Sequence, residues 1–140
     1  MPFRVAREVG ERCRSSGIAV RFQRNAQNGA RAENFVACHL LKAVEGWTDL
    51  GFGDFELRYL RDKQKREVDF LVVRNRKPWL LVEVKTSDTR LSPALNYFQQ
   101  QIEAPRAFQV VMDLPFEPVD CFSVRRPAVV PAKTFLSQLL

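Results

Sequence analysis

Apolar positions along this chain follow two periods. From Ala30 to Glu45, Val36, Ala37, Leu40 and Val44 recur at helical spacing, which predicts a helix closed by Gly46. Phe55 to Arg61 alternates as a strand does. Arg66 to Arg74 carries Val68, Phe70, Leu71, Val72 and Val73, and Trp79 to Thr86 is nearly all apolar; both read as strands. The turns between them are Asp62-Lys63-Gln64-Lys65 and Asn75-Arg76-Lys77-Pro78. Ser92 before Pro93 predicts a helix start, with the helix running to about Glu103 and Pro105 following its end. Ala107 to Met112 is a buried-type strand, and Val119 to Val124 is a candidate for another. Pro127 and Pro131 bracket a tail ending in a short helical piece, Thr134 to Leu140. Ahead of the core, Val5 to Cys13 reads as a short helix, Ile18 to Phe22 as a strand and Asn25 to Gly29 as a loop. The core order is helix, three antiparallel strands, helix, strand, an α/β chain.

Two acids and a lysine interrupt these strands, in Arg66-Glu67-Val68-Asp69-Phe70 and Glu83-Val84-Lys85. With Asn75 to Lys77 as a hairpin loop, Arg74 faces Pro78 and, counting back in step, Asp69 faces Glu83. Facing Cβ atoms lie about 5 Å apart, close enough to share a cation. Alternation sets Glu83 and Lys85 on one side of their strand. A slip of one residue would turn Asp69 away. Such apolar strands are buried on both faces, under helices. Three ionisable groups there need partners. Two carboxylates that hold Mg²⁺, with a lysine steadying the attacking water or the phosphate, would supply them. The competing reading pairs Lys85 with one carboxylate on a solvated face; the apolar strand and the matching second acid favour the site. Glu33 shares the apolar face of the first helix with Val36, Ala37, Leu40 and Val44. A metal, a cation partner or the helix dipole would each account for it. Its place ahead of the three strands joins it to the site.

Composition narrows the class. A chain of 140 residues with 46% apolar content makes one domain with a real core. No apolar stretch is long enough to cross a bilayer, and Met-Pro-Phe-Arg-Val-Ala-Arg-Glu has no secretory h-region. Cys13, Cys38 and Cys121 are scattered without metal-type spacing, as reduced thiols of a cytoplasmic protein would be. His39 has no second histidine or cysteine pair for zinc. The formal charge is +6. Residues 1–31 hold seven arginines against Glu8 and Glu11, and a second basic cluster, Arg58, Arg61, Lys63, Lys65, Arg66, Arg74, Arg76 and Lys77, flanks the carboxylates. That distribution suits a polyanion such as DNA, although a solvated surface would look the same. Tyr59 and Arg61 alternate outward toward a substrate. Thr86 and Ser87 end the third strand, where they could touch phosphate or form a turn. Gln99 is either a site residue on the second helix or ordinary helix surface. Trp47 and Trp79 read as core.

Four runs carry a resemblance: Gly29-Ala30-Arg31-Ala32-Glu33-Asn34-Phe35-Val36, Tyr59-Leu60-Arg61-Asp62-Lys63, Arg66-Glu67-Val68-Asp69-Phe70-Leu71-Val72 and Val82-Glu83-Val84-Lys85-Thr86-Ser87. With their order they resemble the PD-(D/E)xK, or restriction-endonuclease-like, superfamily. Within it they are similar to the nuclease-like domain at the C-terminus of prokaryotic AAA-type P-loop ATPases. The resemblance covers roughly residues 29–140 and leaves residues 1–28 as a basic arm. It implies a central mixed β-sheet flanked by helices (αβββαβ) and Mg²⁺- or Mn²⁺-dependent hydrolysis of DNA. Asp69 and Glu83 would be metal ligands, the Val84 carbonyl a third, and Glu33 would complete the shell directly or through water. Lys85 would be the catalytic lysine. Arg61, Lys63, Arg66, Thr86 and Gln99 would touch nucleic acid, and a homodimer would be in keeping. Val68 stands where the superfamily's name has proline. The chain has no Gly-x-x-x-x-Gly-Lys-Ser/Thr loop, so no ATP site of its own is expected. The alternative is a catalytically silent DNA-binding or protein-docking module of the same origin.

Overall fold

The computed structural model describes residues 4–6 and 27–139. Its body is a five-strand mixed sheet of β2 (Phe55–Arg61), β3 (Glu67–Arg74), β4 (Lys77–Lys85), β5 (Arg106–Val111) and β6 (Ala128–Pro131). A short β1 (Arg4–Ala6) pairs antiparallel with the outer edge of β2. Strand order follows the chain, with β1 to β4 antiparallel and β4, β5 and β6 parallel. The described residues also form the helices α1 (Gln27–Asp49), α2 (Pro93–Ile102) and α3 (Ala132–Ser137). Parallel neighbours need a crossover, and α2 provides it between β4 and β5.

The sheet is buried on both faces. Ala32, Val36, Leu40 and Val44 of α1 pack with Leu80, Val82, Val84, Phe108 and Phe135 on one side. Leu95 and Phe98 of α2 pack with Leu71, Val73 and Leu81 on the other. This explains why β4 is nearly all apolar.

The ends of elements are where the expectations need correction. Helix α1 runs through Gly46 to Asp49 and stops at Gly51, which has φ +80°. Gly51 N donates to the Thr48 carbonyl at 3.0 Å and Phe52 N to the Trp47 carbonyl at 3.0 Å, the double bond of a Schellman end. A glycine inside a helix costs less than a missing cap, so the stop falls at the second signal. Val119 to Val124 is not a strand. Asp120 Oδ1 accepts from Phe122 N at 2.9 Å and winds a short turn at Cys121–Ser123, while Gln138 holds Cys121 N and the Val119 carbonyl. The sixth strand is Ala128–Pro131, between the two prolines assigned to a tail. The terminal helix begins at Ala132. Val5 and Ala6 are in β1, not a helix. The rest of the Val5–Cys13 helix, the Ile18–Phe22 strand, most of the basic arm and Leu140 lie outside the described residues.

The β3–β4 hairpin turns on two residues, not three. Arg74 faces Lys77, and Asn75 (φ 49°) and Arg76 (φ 66°) form the loop. Trp79 then stands as an extra residue between the pairs Val73–Pro78 and Val72–Leu80. That bulge restores the expected register from Val72–Leu80 to Phe70–Val82. The paired register ends there, one step short of Asp69 and Glu83, and β3 shifts its register against β2 around Asp69, between Arg58–Leu71 and Leu60–Val68.

Two residues with positive φ make the hairpin loop in which glycine is preferred second. Asn75 tolerates it, and its Oδ1 also accepts from Asp54 N at 2.8 Å. Arg76 carries a side chain where none is favoured. Arg76→Gly is therefore expected to stabilise the fold by about 1 kcal/mol in urea denaturation. A loss of stability would mean that the arginine side chain holds the tip.

Candidate active site

Strands β3 and β4 stop pairing beyond Phe70–Val82. Strand β3 continues along β2 as far as Glu67, and β4 continues along β5 to Lys85–Val111. The sheet therefore forks at Asp69. The next β4 amide facing β3, Val84 N, donates to Asp69 Oδ2 at 2.7 Å. A side-chain carboxylate has taken the place of a backbone rung. Because a strand residue's N–H and C=O leave the same edge, the Val84 carbonyl also faces the fork.

Glu83 is 7% exposed. Its Oε1 accepts from Lys85 Nζ at 2.9 Å, and its Oε2 is buried with no hydrogen-bond partner. Leu81 belongs to the α2 side of the sheet, and Val82 and Val84 to the α1 side. Alternation therefore sets Glu83 and Lys85 on the α2 side.

The electrostatics bear the mark of crowded acids. Burial first, then the Glu83 charge, push the Asp69 carboxyl up to about 7; the Val84 N–H opposes this and Glu33 adds to it. Glu33 is half-buried near the start of α1, so α1 delivers a third negative charge to the fork. Burial pulls the Lys85 ammonium down, but the Glu83 hydrogen bond and the charges of Glu83, Asp69 and Asp88 outweigh it and raise it overall. Lys85 stays a cation, its half-buried side chain ending on the Glu83 carboxylate.

The donors are hard oxygens, as Mg²⁺ or Mn²⁺ requires. The orphaned Glu83 Oε2 fits a cation, since a buried carboxylate oxygen without a partner is costly. As they stand, no three of His, Cys, Asp or Glu are grouped to hold a metal ion among the described residues. Asp69 and Glu83 form a pair, and Glu33 acts on it through its charge.

The basic residues divide. Arg61 is exposed beside Glu67 at 3.9 Å, and Lys63 is exposed on the β2–β3 turn. Arg66 is occupied: Nε donates to Asp62 Oδ2 at 2.7 Å, and the guanidinium lies 3.8 Å from the Tyr97 ring centroid. It fastens the turn to α2. Thr86 is half-buried just past β4, its carbonyl accepting from Asp113 N at 2.9 Å. Gln99 is not brought to the fork. It lies toward the far end of α2, where its Nε2 donates to the Arg125 carbonyl at 3.0 Å. His39 is exposed on α1 against the edge of Phe35. Cys38 is exposed and Cys121 is buried.

Sequence reasoning missed Gln109. It is fully buried on β5 at the level of Glu83. Its Oε1 accepts from Ser92 N at 2.8 Å, and its Nε2 donates to the carbonyls of Asp88 at 3.1 Å and Arg90 at 2.8 Å. One amide thus pins the segment from the fork to the start of α2. The available signal was a single glutamine in the apolar run from Ala107 to Met112.

Among the described residues no helix is long and apolar enough to cross a membrane. No curated protein and no solved structure matches the chain. A family profile does match it, over residues 28–118, from just inside α1 to just past β5, a span that contains Glu33, Asp69, Glu83, Lys85 and Gln109. That family is a domain found at the C-terminus of AAA-type ATPases. The chain belongs to the family described as Domain of unknown function (DUF4143).

Proposed function

We propose that the fork is the active site of a divalent-metal-dependent nuclease of the PD-(D/E)xK type, acting on DNA. The observation that carries this reading is the buried, unpartnered Glu83 Oε2 beside a second buried carboxylate, Asp69. Two acids brought together against their mutual repulsion need a compensating cation, and Lys85 reaches only one of the four oxygens. The element order, with an acid on α1, on β3 and on β4, supports the same superfamily.

Asp69 and Glu83, with the Val84 carbonyl, would hold Mg²⁺ or Mn²⁺, and Glu33 would act through a water. When bound, the ion supplies Lewis acidity that makes water a better nucleophile and screens charge on the phosphate. The chain's own groups do the rest. Asp69 gives up its proton near neutrality, so its carboxylate is ionised on the alkaline side of pH 7. Lys85 keeps its charge, so its ammonium can move from Glu83 to a phosphate oxygen. Arg61 and Lys63, exposed on the neighbouring strand and turn, would hold flanking phosphates, Arg61 by leaving Glu67.

The test is cleavage of plasmid and single-stranded DNA with Mg²⁺, Mn²⁺ or EDTA. Wild type is expected to cut only with metal. Asp69→Ala and Lys85→Ala are each expected to lose about a hundredfold in rate. Cutting that survives both substitutions would remove the chemistry from this site.

A second reading rests on the 2.9 Å bond between Lys85 and Glu83. A closed ion pair of that kind suits a silent DNA-binding or protein-docking module. Such a module would bind DNA equally well in EDTA and never cut it.

A further inference from the structure

A second site lies on the α1 side of the sheet, at the opposite end of β4 from the fork. Trp79 is six residues from Lys85, about 20 Å along the strand. Here the surface carries an open, shallow pocket of about 360 Å³. Its walls are the rings of Trp47, Phe55, Trp79 and Phe122, with Phe52 and Arg74 at the mouth.

The walls are built before any ligand arrives. Trp47 and Phe55 lie 5.1 Å apart between centroids, and Trp47 and Trp79 meet edge to face at 5.5 Å. Trp79 stacks on Phe122 at 6.1 Å and 19°. Each ring fixes its neighbour's rotamer, so little ordering is left to do on binding. Most polar wall atoms are already engaged. Trp47 Nε1 donates to the Leu139 carbonyl at 2.8 Å, and the Gln138 amide bridges Cys121 N and the Val119 carbonyl.

Arg74 differs. Among the described residues its guanidinium gives one hydrogen bond, from Nη2 to the Phe52 carbonyl at 2.8 Å, and sits 5.5 Å from the Phe55 centroid. The other N–H groups of the guanidinium make no hydrogen bond among the described residues. Gly53, at φ +147°, makes room for this arrangement: a Cβ there would stand 3.2 Å from Arg74 Nε and 3.3 Å from Phe55. An aromatic box on its own suits a cation. A fixed arginine at the mouth reverses that preference.

We propose that this pocket binds a planar aromatic anion, its ring between the Trp and Phe walls and its acid group on Arg74. An aromatic carboxylate and a nucleoside monophosphate share that chemistry, and the volume holds either. The proposal is independent of the chemistry at the fork.

Trp47 and Trp79 are the chain's two tryptophans, so two indole N–H resonances report on the pocket. The full chain is titrated by NMR with 2-naphthoate, with dAMP and with 2-naphthalenemethanol, the neutral ring. At least one anion is expected to shift both resonances saturably, and at least tenfold more tightly than the neutral ring. Which anion does so identifies the source. Arg74→Gln, a change at an exposed side chain, is expected to abolish the tenfold preference while the spectrum stays folded. Arg76→Gln, one charge removed nearby on the hairpin tip, is expected to leave it within twofold. Equal binding of the neutral ring, unchanged anion affinity in Arg74→Gln, or no saturable shift with any probe would overturn the proposal.

Discussion

Asp69→Asn is expected to stabilise the fold at pH 8 by on the order of 4 kcal/mol, with the gain vanishing in acid. The physical cause is a carboxyl pushed from 3.8 up to about 7 by burial and by the Glu83 charge. Between those values the unfolded chain has released a proton that the folded chain still holds. The contribution is therefore complete below pH 3.8 and is lost as pH rises through about 7. Asparagine resembles the protonated acid and can still accept from Val84 N, so the variant should not follow that slope. Urea denaturation of both proteins from pH 4 to 8 reads the difference directly and cancels the titrating groups that are not coupled to Asp69. Divalent metal adds a second arm. On the proposed function, Mg²⁺ or Mn²⁺ at pH 8 should restore stability to wild type and leave Asp69→Asn unmoved. A difference that stays flat with pH would mean that Asp69 is not a crowded acid. A slope without metal rescue would leave the crowding intact and count against the cation.

Much of this site was legible in the sequence, for physical reasons that can be named. Glu83 and Lys85 interrupt a strand otherwise apolar enough to be buried on both faces, and a buried charge needs a partner. The register leading toward Asp69 and Glu83 was legible as far as Phe70–Val82, although by a route that contained two errors. The loop has two residues, not three, and the bulge at Trp79 compensates by one. Turn chemistry and bulges are set by local φ and by side-chain packing, here the aromatic cluster that holds Trp79, and neither is visible in alternation. The fork was not legible at all. It exists because the Asp69 carboxylate satisfies Val84 N in place of a backbone carbonyl, a three-dimensional substitution with no signature along the chain. The same holds for the α1 stop, where two glycines compete and the Schellman bonds at Gly51 decide. Gln99 and Gln109 show the limit from the other side. Both are glutamines near the second half of the core. Gln99 points to the Arg125 carbonyl, whereas Gln109 points inward at the level of Glu83. Burial of the strand, not residue type, separates them.

Gln109→Ala is expected to cost about 4 kcal/mol and to loosen the segment between the fork and α2. Three hydrogen bonds to the backbone of Asp88, Arg90 and Ser92 would go, at about 1 kcal/mol each, and the rest is a cavity where a fully buried side chain stood. The two parts separate experimentally. Gln109→Leu keeps the volume, so it should lose the hydrogen bonds while recovering the packing. If the amide matters as a staple, both variants will speed amide hydrogen exchange at Ser92, which loses its acceptor, and will leave exchange at Leu60 and Val68, across the sheet, near wild type. The staple also bears on the chemistry. Asp88 is one of the charges that keep Lys85 an ammonium, and the loop that carries it is fixed by Gln109. Gln109→Leu should therefore reduce any metal-dependent cutting by more than its stability loss explains, measured well below its melting temperature. Exchange at Ser92 unchanged in both variants would show that the loop holds itself. The buried glutamine would then be only a filler of the α2 side, and the arrangement at the fork would have to rest on the strands alone.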